Sequence, residues 1–184
     1  MNFVIVGTNF ISDTLLAAAN TLSNFNLYGI CSRQISSGER FLANHPTNTD
    51  AKIFTSIDAV CQDEQVDAVY IAAPNSLHSA YAIQCLKAGK HVLGEKPSAA
   101  NSKQLAAILT AAKQHQRLYM EAMMTTHLPN FAHLQAALKK IGTPRKFIGQ
   151  FSQYSSRYDK YKNGERPNTF LPEFANGALL DLGI

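Results

Sequence analysis

The sequence predicts an α/β fold: a doubly wound parallel sheet followed by the start of a second, α+β sheet domain. Three observations lead there. Short apolar runs alternate with helical patterns at regular spacing as far as residue 122, which is the signature of βαβ units. The first run, Asn2–Val6, enters a glycine-bearing turn and then a helical face of Ile11, Leu15, Leu16, Ala19 and Leu22. Near Ala122–Pro129 the register changes, and a longer alternating stretch, Arg145–Tyr154, reads as the first strand of a different sheet.

The remaining elements follow in order. Leu27–Cys31 reads as the second strand, with a helix around Ser36–Ala43 after it. Ala51–Phe54 is a short third strand, and Ser56 can cap a short helix reaching Cys61. Val66–Ala72 is the fourth strand, and Ser76–Ala88 is a helix closed by Gly89. His91–Gly94 and Leu118–Glu121 are the fifth and sixth strands, separated by an Ala- and Leu-rich helix over Ser102–His115. Right-handed crossovers turn this order into a Rossmann-type domain over residues 1–122. In the incomplete second domain, residues 123–184, a helix over about Pro129–Lys140 is broken by Gly142-Thr143-Pro144.

With 184 residues, 46% of them hydrophobic and 16% charged, the chain can bury a core and does not read as disordered. It holds no run of about 18 apolar residues that would span a membrane. The strand begins one residue after Met1 and leaves no room for a signal peptide. Cys31, Cys61 and Cys85 are odd in number and widely spaced, so neither a zinc motif nor a disulfide framework is legible, and a reducing cytoplasm is expected. The net charge of +4 lies after residue 124, where eight Lys/Arg face four Asp/Glu. Lys139, Lys140, Arg145 and Lys146 cluster, and Arg157, Lys160, Lys162 and Arg166 follow in a polar loop. No nucleic-acid motif or regular basic stripe accompanies them, so they read as a solvated face first and an anionic-ligand surface second.

The functional residues gather at the ends of the strands, where open α/β sheets hold their ligands. After the first strand, Gly7, Thr8, Asn9, Phe10 and Ile11 form the turn that would meet a pyrophosphate at a helix N-terminus. A dinucleotide fingerprint would have glycine at positions 7, 9 and 12; Asn9 and Ser12 stand at the last two. Asn tolerates positive φ, so the turn can form, and Ser12 is small enough for helix and strand to approach. The second strand ends in Ser32 and Arg33, which offer donors where an NAD site often carries a carboxylate; this favours NADP over NAD. At the fourth strand, Ala73 and Pro74 leave space for a cofactor, and Asn75 can bond a ribose or amide or cap the helix. His78, one turn inside that helix, reads as structural rather than catalytic and is grouped with this cofactor-facing stretch. After the fifth strand come Glu95, Lys96 and Pro97. A lysine there, beside a cofactor, can donate to a substrate oxygen and trade a proton with it.

Four stretches carry a resemblance: Val6-Gly7-Thr8, Ala72 through His78, Ala88 through Pro97, and Gly177 through Ile184. In this order they are similar to the Gfo/Idh/MocA oxidoreductases, which include glucose–fructose oxidoreductase, inositol dehydrogenase and dihydrodiol dehydrogenase. The resemblance implies hydride transfer between a nicotinamide and the carbinol or carbonyl carbon of a sugar, polyol or diol. It makes Lys96 the catalytic lysine, Glu95 the residue on the nicotinamide ribose, and Asp181 an acidic residue near the substrate. Glu121 falls on a further acidic position, and His127 reads as a loop residue. The resemblance motivates a cis Lys96–Pro97 bond that would aim the lysine inward.

The resemblance also implies an acid/base His or Tyr one place beyond Ile184 and a second domain continuing past it, so the chain reads as truncated in that domain. Partners are then a small-molecule substrate and a second copy paired through the second-domain sheet, with neither nucleic acid nor membrane. The alternative is a dinucleotide-binding module, or an inactive fragment of such an enzyme, that holds cofactor without turnover.

Overall fold

The structure, a computed structural model, describes residues 1–48, 50–167 and 170–183. Six parallel strands form one sheet: β1 (Asn2–Val6), β2 (Asn26–Cys31), β3 (Lys52–Phe54), β4 (Ala68–Ile71), β5 (His91–Gly94) and β6 (Tyr119–Glu121). Their order is β3-β2-β1-β4-β5-β6. β1 pairs with β2 on one side and with β4 on the other, Val6 standing beside both Cys31 and Ile71. The chain therefore reverses its direction of travel across the sheet at the β1/β4 boundary. That reversal opens the crevice in which ligands of such sheets lie.

Alternation along the strands sorts the core into two layers. Phe3 and Ile5 of β1 and Tyr70 of β4 face α1 (Phe10–Ala19) and α2 (Ile35–Ala43), packing with Leu16, Ile30 and Phe41. Val4, Val69, Ile71 and Val92 face α3 (Ile57–Gln62), α4 (Asn75–Lys87) and α5 (Ser102–Gln114), packing with Val60, Leu86 and Ile108. Burying one such side chain contributes about 1.5–3 kcal/mol. The helix starts follow their capping residues: Ser56 Oγ accepts from Ala59 N at 3.2 Å and Asn101 Oδ1 from Gln104 N at 3.0 Å. Gly89, at φ +79°, ends α4 as expected. The fourth strand is shorter than Val66–Ala72, because only Ala68–Ile71 pairs on both sides.

Past Glu121 the expectations divide. A 3₁₀ turn over Met124–His127 leads into α6 (Pro129–Leu138), close to the expected helix. The strand expected over Arg145–Tyr154 does not form. The segment has no regular structure, and Phe147, Ile148 and Phe151 are largely exposed. Its alternation matches a strand, but among the described residues no neighbouring strand satisfies its amides and carbonyls, and an unpaired strand has no ladder to hold it. The polar loop carrying Arg157 instead contains a short helix, α7 (Tyr158–Lys162), and the last described helix is α8 (Ala178–Leu182). Among the described residues, no helix is long and apolar enough to cross a membrane.

Candidate active site

The turn after β1 forms without the second fingerprint glycine, by a different route from the one expected. Gly7 adopts φ +109°, and a Cβ there would lie 2.5 Å from the Ala72 carbonyl oxygen. Only glycine allows that approach of the β1 turn to the end of β4. Asn9 needs no positive φ; its backbone is extended, at φ −96°. Its side chain caps α1, Oδ1 accepting from Ile11 N at 3.2 Å and Ser12 N at 3.3 Å, while Nδ2 donates to Ala72 O at 2.9 Å. Asn9 thus pins the helix start to β4, which a glycine could not do. Ser12 is fully buried and donates to the Gly7 carbonyl at 3.0 Å, so it locks the same turn from inside the helix.

These elements wall a cavity of about 670 Å³ along the carboxyl ends of β1, β2, β3 and β4. Of the expected cofactor residues, Gly7, Thr8, Asn9, Ser32, Arg33, Ala73 and Pro74 line it. Phe10 and Ile11 do not, and Phe10 is 72% exposed at the start of α1. Among the described lining residues Arg33 supplies the formal charge and no carboxylate is present. Gln34, Ser37, Thr55, Ser56, Leu77 and Tyr81 were missed by the sequence reading. Thr55 and Ser56 follow β3 at the same edge, and Leu77 and Tyr81 sit four apart on α4, so strand order and helical spacing together carry their signal.

A second set of residues gathers beside β5. Glu95 N continues the sheet by donating to Ile71 O at 2.9 Å. The Glu95 side chain accepts from the Tyr70 hydroxyl at 2.5 Å. Burial, and then this bond to a carboxylate, push the Tyr70 phenol well above its usual range, so it remains a donor. The Lys96–Pro97 bond is cis, as expected. Lys96 Nζ lies 2.5 Å from Asp181 Oδ1 and 2.7 Å from the Asp181 carbonyl oxygen. The two expected catalytic residues, 85 positions apart, thus meet as a partly exposed ion pair. Glu121 accepts from Ser98 N at 2.7 Å and ties the end of β6 to the loop after Lys96.

His78 is 2% exposed, with its ring nitrogens each 2.8 Å from a carbonyl oxygen, Pro97 on one side and Ala73 on the other. Its ring lies between the loops that follow β4 and β5 and is in contact with both, in keeping with its structural reading. Asn75 neither caps α4 nor stays free. Its Nδ2 donates to Ala175 O at 3.0 Å and Asn176 Oδ1 at 2.8 Å, docking the segment before Asp181 onto the start of α4.

A turn that only glycine permits, a helix N-terminus and a small-residue wall at the sheet's reversal point fit a dinucleotide. The family model for oxidoreductases with an NAD-binding Rossmann fold, Gfo/Idh/MocA, matches residues 1–123. The chain belongs to the Gfo/Idh/MocA family. It is 42% identical over its whole length to the scyllo-inositol 2-dehydrogenase (NADP(+)) IolU of Bacillus subtilis, of which it covers 55%. An NAD-binding protein from Listeria innocua superposes with a TM-score of 0.75 at 26% identity, over 99% of this chain and 51% of that one. The 3-ketoreductase KijD10 from Actinomadura kijaniata, solved with NADP, superposes at 0.70 and 26% identity, over 76% of this chain and 44% of that one. This member of the family spans about half the length of the curated relatives it matches.

Proposed function

We propose that the chain is the cofactor-binding half, with the edge of the substrate half, of an NAD(P)-dependent oxidoreductase acting on a sugar, polyol or diol. The single observation that carries this reading is the Lys96–Asp181 pair at the carboxyl end of β5, the strand next to β4, whose own end lines the cavity. A bound nicotinamide supplies the two-electron hydride chemistry. Lys96 has the complementary task at the substrate oxygen. When a carbonyl is reduced, its ammonium donates a hydrogen bond to that oxygen and then the proton; when a carbinol is oxidised, its amine takes the proton back. Asp181 keeps the ammonium in place as an ion-pair partner. Glu95, oriented by Tyr70, is available to a ribose hydroxyl.

Arg33, at the rim of a cavity without carboxylates, supports a preference for the 2′-phosphate of NADP, and the NADP(+)-dependent relative agrees with it. In this reading residues 123–184 begin a substrate domain whose sheet pairs with a second copy of the chain. The protein works in the cytoplasm, without nucleic acid.

The test is Lys96→Met in a protein of the relatives' full length, assayed with NADP(H) and NAD(H) against inositols, aldoses and vicinal diols. Turnover falls about 10²–10⁴-fold, the ordinary contribution of a general acid–base group, while nucleotide affinity stays within about twofold. Undiminished turnover removes Lys96 from the mechanism. Cofactor binding with no turnover on any member of the panel supports the binding-module alternative.

A further inference from the structure

Three cysteines far apart in sequence converge on the α3/α4 side of the sheet. Cys31 ends β2, Cys61 lies in the last turn of α3, and Cys85 lies on α4. The sulfurs of Cys61 and Cys85 are 3.9 Å apart. Cys85 is fully buried and Cys61 is partly exposed, so an oxidant in solvent reaches one member of the pair and not the other. Among the described residues no cluster of three His, Cys, Asp or Glu side chains could hold a metal, so the pair does not read as part of a metal site. One helical turn before each thiol sits a wall residue of the dinucleotide cavity: Ile57 precedes Cys61 by four, and Tyr81 precedes Cys85 by four.

We propose that Cys61 and Cys85 form a hydroperoxide-sensitive dithiol that closes into a disulfide between α3 and α4 and thereby weakens nucleotide binding in the adjoining cavity. The Cys61 thiolate attacks one oxygen of the hydroperoxide. The O–O bond breaks, the departing hydroxide takes a proton and leaves as water, and Cys61 becomes a sulfenic acid. The Cys85 sulfur then attacks the Cys61 sulfur and loses its proton; the S–O bond breaks and a second water leaves. Two thiols have been oxidised to one disulfide, and the two electrons have reduced hydrogen peroxide to water.

The roles of attacking and resolving thiol follow from their surroundings. The contact with Cys85, aided by the Lys90 charge, holds the Cys61 thiol below its usual range. The same contact, together with burial, pushes Cys85 up, so it remains a thiol until the sulfenic acid forms beside it. Lys90 is itself buried, and its Nζ donates to Asp63 O at 2.7 Å, which fixes the charge at the end of α3.

Bonded sulfurs are about 2.05 Å apart, so the pair must approach by about 2 Å. α4 has thirteen residues and packs on the sheet beside α5, whereas α3 has six residues and yields first. Movement of α3 carries Ile57 and the preceding Thr55-Ser56 edge of the cavity with it.

The experiment treats the chain with hydrogen peroxide, maps peptides under non-reducing conditions by mass spectrometry and titrates NADPH by fluorescence before and after treatment. The proposal expects a Cys61–Cys85 linked peptide two hydrogens lighter than its parts, and a rise in Kd on the order of fivefold that dithiothreitol reverses. Cys61→Ser and Cys85→Ala abolish both effects, and Cys31→Ser leaves the linked peptide intact. The linked peptide and the Kd change are read on the unsubstituted chain, so they stand even if a variant folds poorly. Oxidation of Cys61 without the link, or a link that leaves Kd unchanged, overturns the proposal. The affinity arm rests on the cavity being the dinucleotide site: a reduced chain that binds no NADPH refutes that reading and the affinity arm together, whereas a missing link in a chain that does bind NADPH refutes the switch alone.

Discussion

Phe3 and Phe147 are both aromatic residues in stretches of strand-like alternation, yet Phe3 is 5% exposed and Phe147 is 90% exposed. The same contrast separates Ile71, fully buried in β4, from Ile148, 76% exposed. From β1 to β5 each strand has a paired neighbour and helices pack on both faces, so the apolar side chains of the two core layers are removed from water. Among the described residues after Ala111, none is buried. α6 carries Leu134 and Leu138 to solvent, and the stretch expected to be a strand stays irregular. The lesson is physical: apolar patterning commits a segment to an element only where another element closes over it. Within the second region, residues 175–181 are tied to the first by polar contacts to Asn75 and Lys96.

Paired truncations in the two regions test this contrast most directly. Leu86→Ala, at a fully buried position of α4, costs about 2–5 kcal/mol in urea unfolding followed by circular dichroism. Leu134→Ala, at a residue 53% exposed on α6, changes the same measurement by less than about 0.5 kcal/mol. A comparable loss at Leu134 would mean that α6 is covered in solution and would break the comparison.

Within the first region, Gly7→Val places a branched side chain against the Ala72 carbonyl at a φ that valine avoids. NADPH affinity falls by at least about a hundredfold, close to 2.7 kcal/mol, in calorimetric titration. Unchanged affinity would detach the β1 turn from the nucleotide.

Arg33→Ala sharpens the reading of the cavity rim. NADP(H) affinity falls about tenfold to a hundredfold while NAD(H) affinity holds, because a charge-assisted contact to a phosphate contributes roughly 1.5–3 kcal/mol. Equal losses for both nucleotides would remove the arginine from 2′-phosphate recognition.

The smallest effect is in alkali. Burial, with the neighbouring Cys61, raises the Cys31 thiol to about 11 from 9.0. A raised folded value means stability that is complete below 9.0 and is lost as pH rises toward 11. Between pH 9 and pH 10 this group alone removes about 1 kcal/mol. Urea midpoints measured across that interval fall in the parent chain and fall less in Cys31→Ala; equal slopes would exclude Cys31 as the source.

Much of the first region was legible because its elements announce themselves locally. The capping residue Ser56, the closing Gly89 and the alternation of β1 each fix their element within a few residues. Lys96 and Asp181 were legible as two residues by resemblance; their 2.5 Å contact across 85 positions was not, because nothing local links them. His78 was assigned a structural role from its helical position, while the two carbonyl oxygens that flank its ring became visible only once the β4 and β5 loops were side by side.

By itself the sequence determined the order of strands and helices as far as Glu121, the absence of a carboxylate after β2, and the residues at each of those strand ends, because these depend on local periodicity and residue chemistry. The tertiary structure decided the rest. It chose a cap rather than a left-handed turn for Asn9, because the Ala72 carbonyl lay within reach of its amide. It left Arg145–Tyr154 without a ladder, because no described strand lies beside it. It brought Cys61 to Cys85 because α3 and α4 share one face of the sheet, a proximity that spacing along the chain cannot encode.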